Sequence, residues 1–239
     1  MKSFITLLLF LTALPSFSQS FQGTVTYVTD FTVSQELANM GMTKDMLREQ
    51  MIKEGSWSDT IWTSYKEGNY YTMLNNNPNT WSVYRADSNK IYSFMEGEDI
   101  CSVTDASVDV EFTLTGKMPL IQKLDTTVMI DGAACNIVRV KWNAGVYDYY
   151  YNPLRLNIDA SLFSKHVYDG FGEFLKLSDA LPVKIVKSLS TSMTMTFTLV
   201  SSSATAISND LFKLPTLVPD PELNLFNALG GTEFMQIKR

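Results

Sequence analysis

Alternation between apolar and polar residues dominates the chain and predicts β-strands. Near the start, Phe21, Val25, Tyr27 and Phe31 share one parity, while polar residues hold most positions of the other. Successive side chains of a strand point to opposite faces, so a period of two indicates a strand with one buried face.

The same pattern recurs between residues 57 and 151, with turn residues such as Glu67-Gly68-Asn69 and Asp131-Gly132 in between. The predicted strands span 57–66, 70–75, 81–86, 91–95, 100–104, 108–114, 120–130, 135–142 and 146–151. Strands at about ten-residue intervals with tight turns are typical of an antiparallel meander.

The clearest alternation lies late in the chain. Its apolar positions are Leu189, Met193, Met195, Phe197 and Leu199, and hydroxyl residues lie between them. A preceding strand contains Val183 and Ile185. One strand over 183–200 would be about 60 Å long at roughly 3.3 Å per residue. Because that exceeds the usual length, we expect a bend near Lys187.

Residues 34–55 break the alternation and predict a helical insertion. Leu37, Met40, Leu47 and Met51 recur at helical spacing, Ser34 can cap the start and Gly55 can close the end. Gly41 with Thr43 can divide the segment into two short helices.

The two ends of the chain differ from the rest. Lys2 precedes the apolar run Phe4–Leu14, and small residues follow at Ser16 and Ser18, which predicts a signal peptide over 1–18 with cleavage before Gln19. The run is too short to span a bilayer. Residues 19–214 then form a single antiparallel β domain with the helical insertion, and 215–239 form an irregular, proline-containing tail.

Composition and charge narrow the function. The chain is 45% hydrophobic and 12% aromatic, which indicates a globular fold. Its formal net charge is -6 and it contains no run of Lys or Arg, so nucleic acid is not an expected partner. With no later stretch apolar enough to cross a membrane, we expect an exported protein that is periplasmic, outer-envelope associated or extracellular.

Cys101 and Cys135 are the two cysteines of the chain. Outside the cytoplasm such a pair can form one disulfide. Two buried thiols on separate strands are the alternative. The sequence leaves both open, because it does not give the distance between the two Cα atoms.

Catalytic groups are sparse. His166 is the single histidine, which disfavours multi-histidine metal sites, and no Gly-x-Ser-x-Gly motif accompanies it. We expect a surface histidine, no metal, no cofactor and no enzyme. Gly170-Phe171-Gly172 lacks the third glycine of a dinucleotide loop. Carboxylates among residues 96–111 are expected at solvated turns, and a hydrolase using two of them remains an alternative.

The methionine and aromatic residues suggest that the protein binds an apolar ligand. Methionine adapts to irregular gaps and binding surfaces. A helix lying across a curved sheet could either enclose an apolar cavity or pack on it as an ordinary core. For the first case the candidate ligand-binding residues are Met40, Leu47, Met51, Trp62, Met193, Met195 and Phe197.

Five short segments carry a family resemblance: Phe21–Tyr27, Ile130–Cys135, Tyr149–Pro153, Ala180–Ile185 and Leu211–Pro215. With them the chain resembles secreted Bacteroidetes-type proteins of unknown function, which are similar to the periplasmic lipoprotein-carrier (LolA-like) superfamily. The resemblance implies an incomplete antiparallel β-barrel with helical cover and an apolar interior. The resemblance does not identify any ligand-binding residues in this chain.

Together these observations predict a mainly β, α+β protein built on a curved antiparallel sheet covered by a helix. The predicted function is non-catalytic binding of an apolar ligand (a lipid, an acyl chain or a lipidated partner) in the periplasm or cell envelope. The alternative is a cell-surface structural or protein-interaction module without a small-molecule ligand.

Overall fold

The computed structural model describes residues 20–74, 79–143, 145–189, 192–224 and 231–238. The predicted signal peptide, 1–18, lies outside these residues. The strands are β1 (Gly23–Val33), β2 (Thr60–Lys66), β3 (Asn69–Leu74), β4 (Thr80–Arg85), β5 (Lys90–Met95), β6 (Ile100–Asp105), β7 (Leu120–Ile130), β8 (Ala133–Lys141), β9 (Gly145–Tyr151), β10 (Lys184–Leu189), β11 (Met193–Ser203), β12 (Thr216–Pro219) and β13 (Thr232–Lys238). The helices are α1 (Gln35–Asn39), α2 (Lys44–Lys53), α3 (Val110–Thr115), α4 (Phe171–Ser178) and α5 (Pro221–Asn224).

All of these strands belong to one antiparallel sheet, which confirms the predicted mainly β class. Their order is β12-β13-β6-β5-β4-β3-β2-β1-β11-β10-β9-β8-β7. The sheet is not closed into a barrel, because β12 and β7 remain at its two edges. The hairpin-connected strands β2 to β6, extended by β13 and β12, form one half, and β7 to β11 form the other.

Strand β1 joins the two halves. It pairs with β2 on one side and with β11 on the other, so Tyr27 lies opposite both Ile61 and Leu199. A β-bulge interrupts the β11 pairing between Thr26 and Tyr27. The first strand of the domain therefore lies at the centre of the sheet, and residues distant in sequence meet beside it.

The insertion after β1 forms two short helices, as the sequence predicts. Ser34 Oγ accepts a hydrogen bond from the Leu37 amide and Thr43 Oγ1 accepts one from the Met46 amide, each at 3.2 Å, so each helix has its own cap. Leu47 is the one buried residue of α2, and it packs in a small cluster with Phe31 and Trp57. The insertion therefore packs beside the end of β1 and Met195 of β11, and the predicted helix covering the whole sheet is not seen among the described residues.

The segment 108–114, predicted as a strand, is instead occupied by helix α3. The Asp109 carboxylate accepts a hydrogen bond from the Phe112 amide at 2.9 Å, and Gly116 closes the helix at φ 70°. Asp109 and Glu111 are both buried, which corrects the expectation that these carboxylates are solvated. Glu111 accepts a hydrogen bond from the Asn143 amide at 3.2 Å, so both acids have structural roles.

Helix α4 packs on one face of the sheet and was not predicted. Its Phe174 ring is stacked on Tyr149 at a centroid distance of 4.7 Å and meets Tyr151 edge-on. A Cβ atom at Gly172 would collide with the carbonyl oxygens of two preceding residues, which is why glycine is needed there. The helix follows two 3₁₀ turns, Ala160–Phe163 and Tyr168–Gly170.

A second layer covers the opposite face of β4 to β6. Phe212, in a 3₁₀ turn at Asn209–Phe212, packs with Val83, Phe94 and Val103. Both faces of this half of the sheet are therefore covered in part, one by the segment around α4 and one by the segment around Phe212.

Two further expectations for the C-terminal third differ from the structure. Within the range 215–239, predicted to be an irregular tail, residues 216–219 and 232–238 instead form β12 and β13, which extend the sheet beyond β6 and place Met235 opposite Cys101. No bend separates two strands at Lys187, which lies within β10 opposite Met195 of β11. The break between these strands follows Leu189.

The two cysteines lie on separate strands. Cys101 is on β6 and Cys135 is on β8, both are buried, and both are free thiols. They also belong to different hydrophobic clusters. The structure therefore has two separate buried thiols rather than a disulfide.

Candidate functional site

A cleft of about 400 Å³ lies between the sheet and residues 166–171. Side chains from both halves of the sheet line it, because β1 brings those halves together. Its lining includes Tyr27, Ile61, Thr63, Tyr65, Tyr70, Thr72, Ser82, Ile91, Ser93, Thr104, Tyr149, Ile185 and Phe197. Aromatic rings, aliphatic side chains and hydroxyl groups thus share one space.

The strand register arranges the hydroxyl groups in a line. Thr63 lies opposite Thr72, Thr72 opposite Ser82, Ser82 opposite Ser93, and Ser93 opposite Ser102. We call these five residues the hydroxyl row. The Thr63 and Thr72 hydroxyls are 3.2 Å apart and bonded to each other. Within the described part of the chain, the three serine hydroxyls have no hydrogen-bond partner.

A row of tyrosines lies beside the hydroxyl row on the same face. Tyr65 lies opposite Tyr70, and Tyr70 lies opposite Tyr84. The rings of Tyr70 and Tyr84 are stacked at 5.0 Å. Burial raises the pKa of Tyr84 to about 12 and that of Tyr70 well above its usual value, so both phenols are neutral near pH 7. This row supplies flat, uncharged surface.

His166 is buried at the wall of the cleft, which corrects the expectation of a surface histidine. It is 2% exposed, and its Nε2 lies 3.0 Å from the Tyr70 hydroxyl oxygen. Its ring is 4.7 Å from that of Tyr84 and 5.2 Å from that of Phe171. Burial lowers the pKa of His166 to about 4, so the imidazole is neutral at physiological pH.

Backbone and amide contacts hold the histidine loop against the sheet. Asn89, in the turn after β4, donates from Nδ2 to the Lys165 carbonyl at 2.9 Å. The Val167 amide donates to the Ala106 carbonyl at 2.7 Å. The loop is therefore tied to the turn that follows β4 and to the turn that follows β6, which fixes the ring at the end of the tyrosine row.

Lys187 and Asp169 form the charged pair of the cleft. Lys187 Nζ lies 3.0 Å from Asp169 Oδ2 and 4.5 Å from the centre of the Tyr147 ring. Burial by itself would lower the pKa of Lys187, but Asp169 and the adjacent tyrosines outweigh it, so the pKa lies above its ordinary value. Lys187 stays protonated, and its charge is balanced by its partner.

A second cleft, of about 510 Å³, adjoins the first and shares Ser82 and Ser93 with it. Its other lining residues are mostly apolar and include Leu74, Trp81, Phe94, Met95, Ile100 and Phe234. Ser82 and Ser93 therefore lie where the two clefts meet, and Ser102 lines the second cleft.

The residues predicted for ligand binding are dispersed. Phe197 lines the first cleft. Leu47, Met51 and Met195 pack instead with Phe31 beside the insertion. The other three predicted residues lie elsewhere. Met40 is 71% exposed, and Met193 lies at the start of β11. Trp62 is adjacent to Thr63 on the same strand with the opposite orientation, so it lies on the face of the sheet away from the cleft.

The titratable groups of the cleft are neutral or paired with a partner near pH 7. Its histidine is neutral, its tyrosines resist ionisation, and its lysine is paired. Among the described residues, no three His, Cys, Asp or Glu side chains are grouped to hold a metal ion. None of the helices in the same residues is long and apolar enough to cross a membrane.

Comparisons with known proteins leave the family open. No family model matches the sequence, and a search of curated proteins found no match. Among solved structures, PNGF-II in a C2 space group is similar at a TM-score of 0.41 and 10% sequence identity. The alignment covers 80% of this chain and 29% of that one. A TM-score this low does not establish a common fold.

Proposed function

We propose that this chain is an exported, non-catalytic binding protein that holds a ligand with an apolar body in the cleft beside His166. The observation that carries the proposal is an unfilled space of about 400 Å³ among aromatic and aliphatic side chains. Small-molecule sites are typically concave and mostly apolar, with a few placed polar groups. The location outside the cytoplasm rests on the predicted signal peptide.

The walls favour an apolar body over a charged one. Ile61, Ile185 and Phe197 contribute apolar surface from three strands. Tyr27 also lines the cleft, and its hydroxyl donates to the Pro182 carbonyl at 2.7 Å, which leaves the ring as its contact surface. Removing such surface from water stabilises a complex by roughly 25 cal/mol for each Å² buried. A lipid, an acyl chain or a lipidated partner fits this description.

The proposal is tested by filling the cleft. Thr72 lines its floor on β3, so Thr72→Trp should occupy the space, whereas Thr127→Trp places the same ring on the exposed edge strand β7. The purified protein should yield an apolar compound by mass spectrometry of organic extracts and bind an environment-sensitive apolar dye. Thr72→Trp should lose both, and Thr127→Trp should keep both.

Two results would contradict the proposal: an empty extract together with no dye binding by the wild-type protein, or equal dye binding by the two tryptophan variants, including loss of binding in both. Far-UV circular dichroism confirms that each variant is folded. The alternative of a structural or protein-interaction module stays a prediction. The same measurements separate it from the proposal, because it requires no occupied cleft.

A further inference from the structure

The serines of the hydroxyl row are placed to recognise part of a ligand. Ser82, Ser93 and Ser102 lie on the adjacent strands β4, β5 and β6, directly opposite one another. Neighbouring strands are about 4.8 Å apart, so the three hydroxyls form a line roughly 10 Å long. All three are partly exposed to the clefts, and within the described part of the chain no side chain or backbone group bonds to them.

Apolar surface flanks this line on both sides. Tyr70 and Ile91, in the first cleft, lie on one side of the line, and Leu74 and Met95, in the second cleft, lie on the other. A ligand long enough to occupy both clefts must cross the serines and displace their water. A purely aliphatic ligand would leave the hydroxyls without partners, which is unfavourable. A ligand with hydrogen-bonding groups at that point would satisfy them.

The charges around the line disfavour an anionic group. No Lys, Arg or His of the described residues lines the second cleft, and the charged residue that does is Glu98. The cation of the first cleft, Lys187, is already paired with Asp169. A carboxylate or phosphate lying over the serines would therefore lose its hydration without gaining a free positive charge.

We propose that the ligand is a neutral amphiphile whose hydroxyl or amide groups bond to Ser82, Ser93 and Ser102. A neutral glycolipid has this chemistry, whereas a fatty acid or an anionic phospholipid does not. The inference rests on the proposed function, since it specifies the polar part of a ligand whose apolar part occupies the same cleft.

The test compares three probes with the same twelve-carbon chain: dodecyl maltoside, dodecanoate and dodecyl phosphate, each below its micelle concentration. Binding is measured by isothermal titration calorimetry on the mature chain. The maltoside should bind most tightly. Ser82→Ala and Ser93→Ala should each weaken maltoside binding by roughly 3- to 10-fold, the effect of one lost uncharged hydrogen bond. Binding of the weaker dodecanoate should change by less than about two-fold, because the cost of dehydrating its carboxylate keeps that group in water and away from the serines.

Ser201→Ala is the matched control, since Ser201 is an exposed hydroxyl on β11 that lines neither cleft. Equal or tighter binding of dodecanoate or dodecyl phosphate would overturn the inference and leave the proposed function intact. Equal effects of Ser82→Ala and Ser201→Ala would also overturn it. If none of the three probes binds to the folded protein, the proposed function itself fails.

Discussion

Protonation of His166 should lower the stability of this fold in acid. The ring is 2% exposed, and burial lowers its pKa from 6.5 to about 4. In the unfolded chain the same group titrates near its ordinary value. Between these two pKa values the unfolded state binds one more proton than the folded state. The contribution of this residue to stability is therefore complete above pH 6.5 and is lost as the pH falls toward 4.

The magnitude follows from the two pKa values. Between about pH 7.5 and about pH 4.5 the linkage relation gives a loss of roughly 2.5 kcal/mol in the free energy of unfolding. Replacing the histidine with glutamine removes the titration and keeps a polar side chain. The variant is less stable than wild type at every pH because it loses contacts. Its deficit in the free energy of unfolding should shrink by about 2.5 kcal/mol from about pH 7.5 to about pH 4.5, because it lacks the histidine titration.

Two assays check this prediction. The first is urea unfolding followed by tryptophan fluorescence, at both pH values, for wild type and His166→Gln. Comparing the pH-dependent change in the free energy of unfolding between the two proteins removes the contribution of the carboxylates, which both proteins share. Because the chain contains one histidine, proton NMR on a tag-free protein reports its titration without assignment. The folded protein should show no histidine titration above about pH 5, and the urea-unfolded protein should titrate near 6.5.

A native-state midpoint near 6.5 would refute the reasoning, because it would mean that the imidazole is hydrated. Equal losses of stability in the two proteins between the same pH values would refute it independently. Either result would also remove the argument that His166 is neutral in the cleft.

Three other predictions concern packing, thiols and an ion pair. Phe174→Ala should lower the free energy of unfolding by about 3–5 kcal/mol in urea titrations, since the buried ring stacks in the core. Cys101 and Cys135 should react slowly with a thiol reagent until the protein is unfolded, because burial raises the pKa of both and brings that of Cys101 to about 11. Arg139→Ala should cost no more than about 1 kcal/mol, and less at high salt, because its bidentate pair with Asp148 is partly exposed.

The sequence predicts most of the strands because alternation and turn chemistry are local signals. The stretch 120–130 is a strand over that whole range, and the helical insertion divides near Gly41 and Thr43 as expected. The prediction of a strand over 108–114 is wrong because two local signals compete there. Alternating apolar residues favour a strand, but the Asp109 cap and Gly116 at the other end favour the helix that forms.

Alternation identifies two faces of a strand but does not say what covers each face. In β4, the apolar Val83 packs under Phe212, while Ser82 and Tyr84 face the other side of the sheet. From sequence alone, Ser82 belongs on a solvent face. It lines the cleft because residues 166–171 lie across its own face of the sheet, and those residues are more than eighty positions away in the sequence.

The site was missed because its parts come from distant segments. Tyr70 and His166 are 96 residues apart in sequence, and Lys187 belongs to the other half of the sheet. Strand register decides which side chains of β2 to β6 lie opposite one another, and composition does not fix register. A clue was present nonetheless: serine and threonine recur at interior positions of five successive strands, where a purely structural sheet needs no hydroxyl line.

Stability and ligand binding should be coupled through the same histidine. His166 borders the cleft, and a ligand that excludes water there disfavours the imidazolium further, although the carboxylate of Asp169 opposes this shift. By linkage, a ligand that lowers the pKa of a group binds less tightly when that group is protonated. Ligand affinity should therefore be constant between about pH 8 and about pH 6 and fall as the pH approaches 4. In His166→Gln the part of this fall in affinity that comes from protonation of His166 should disappear. If the fall persists in this variant, a group other than His166 controls the pH dependence of binding.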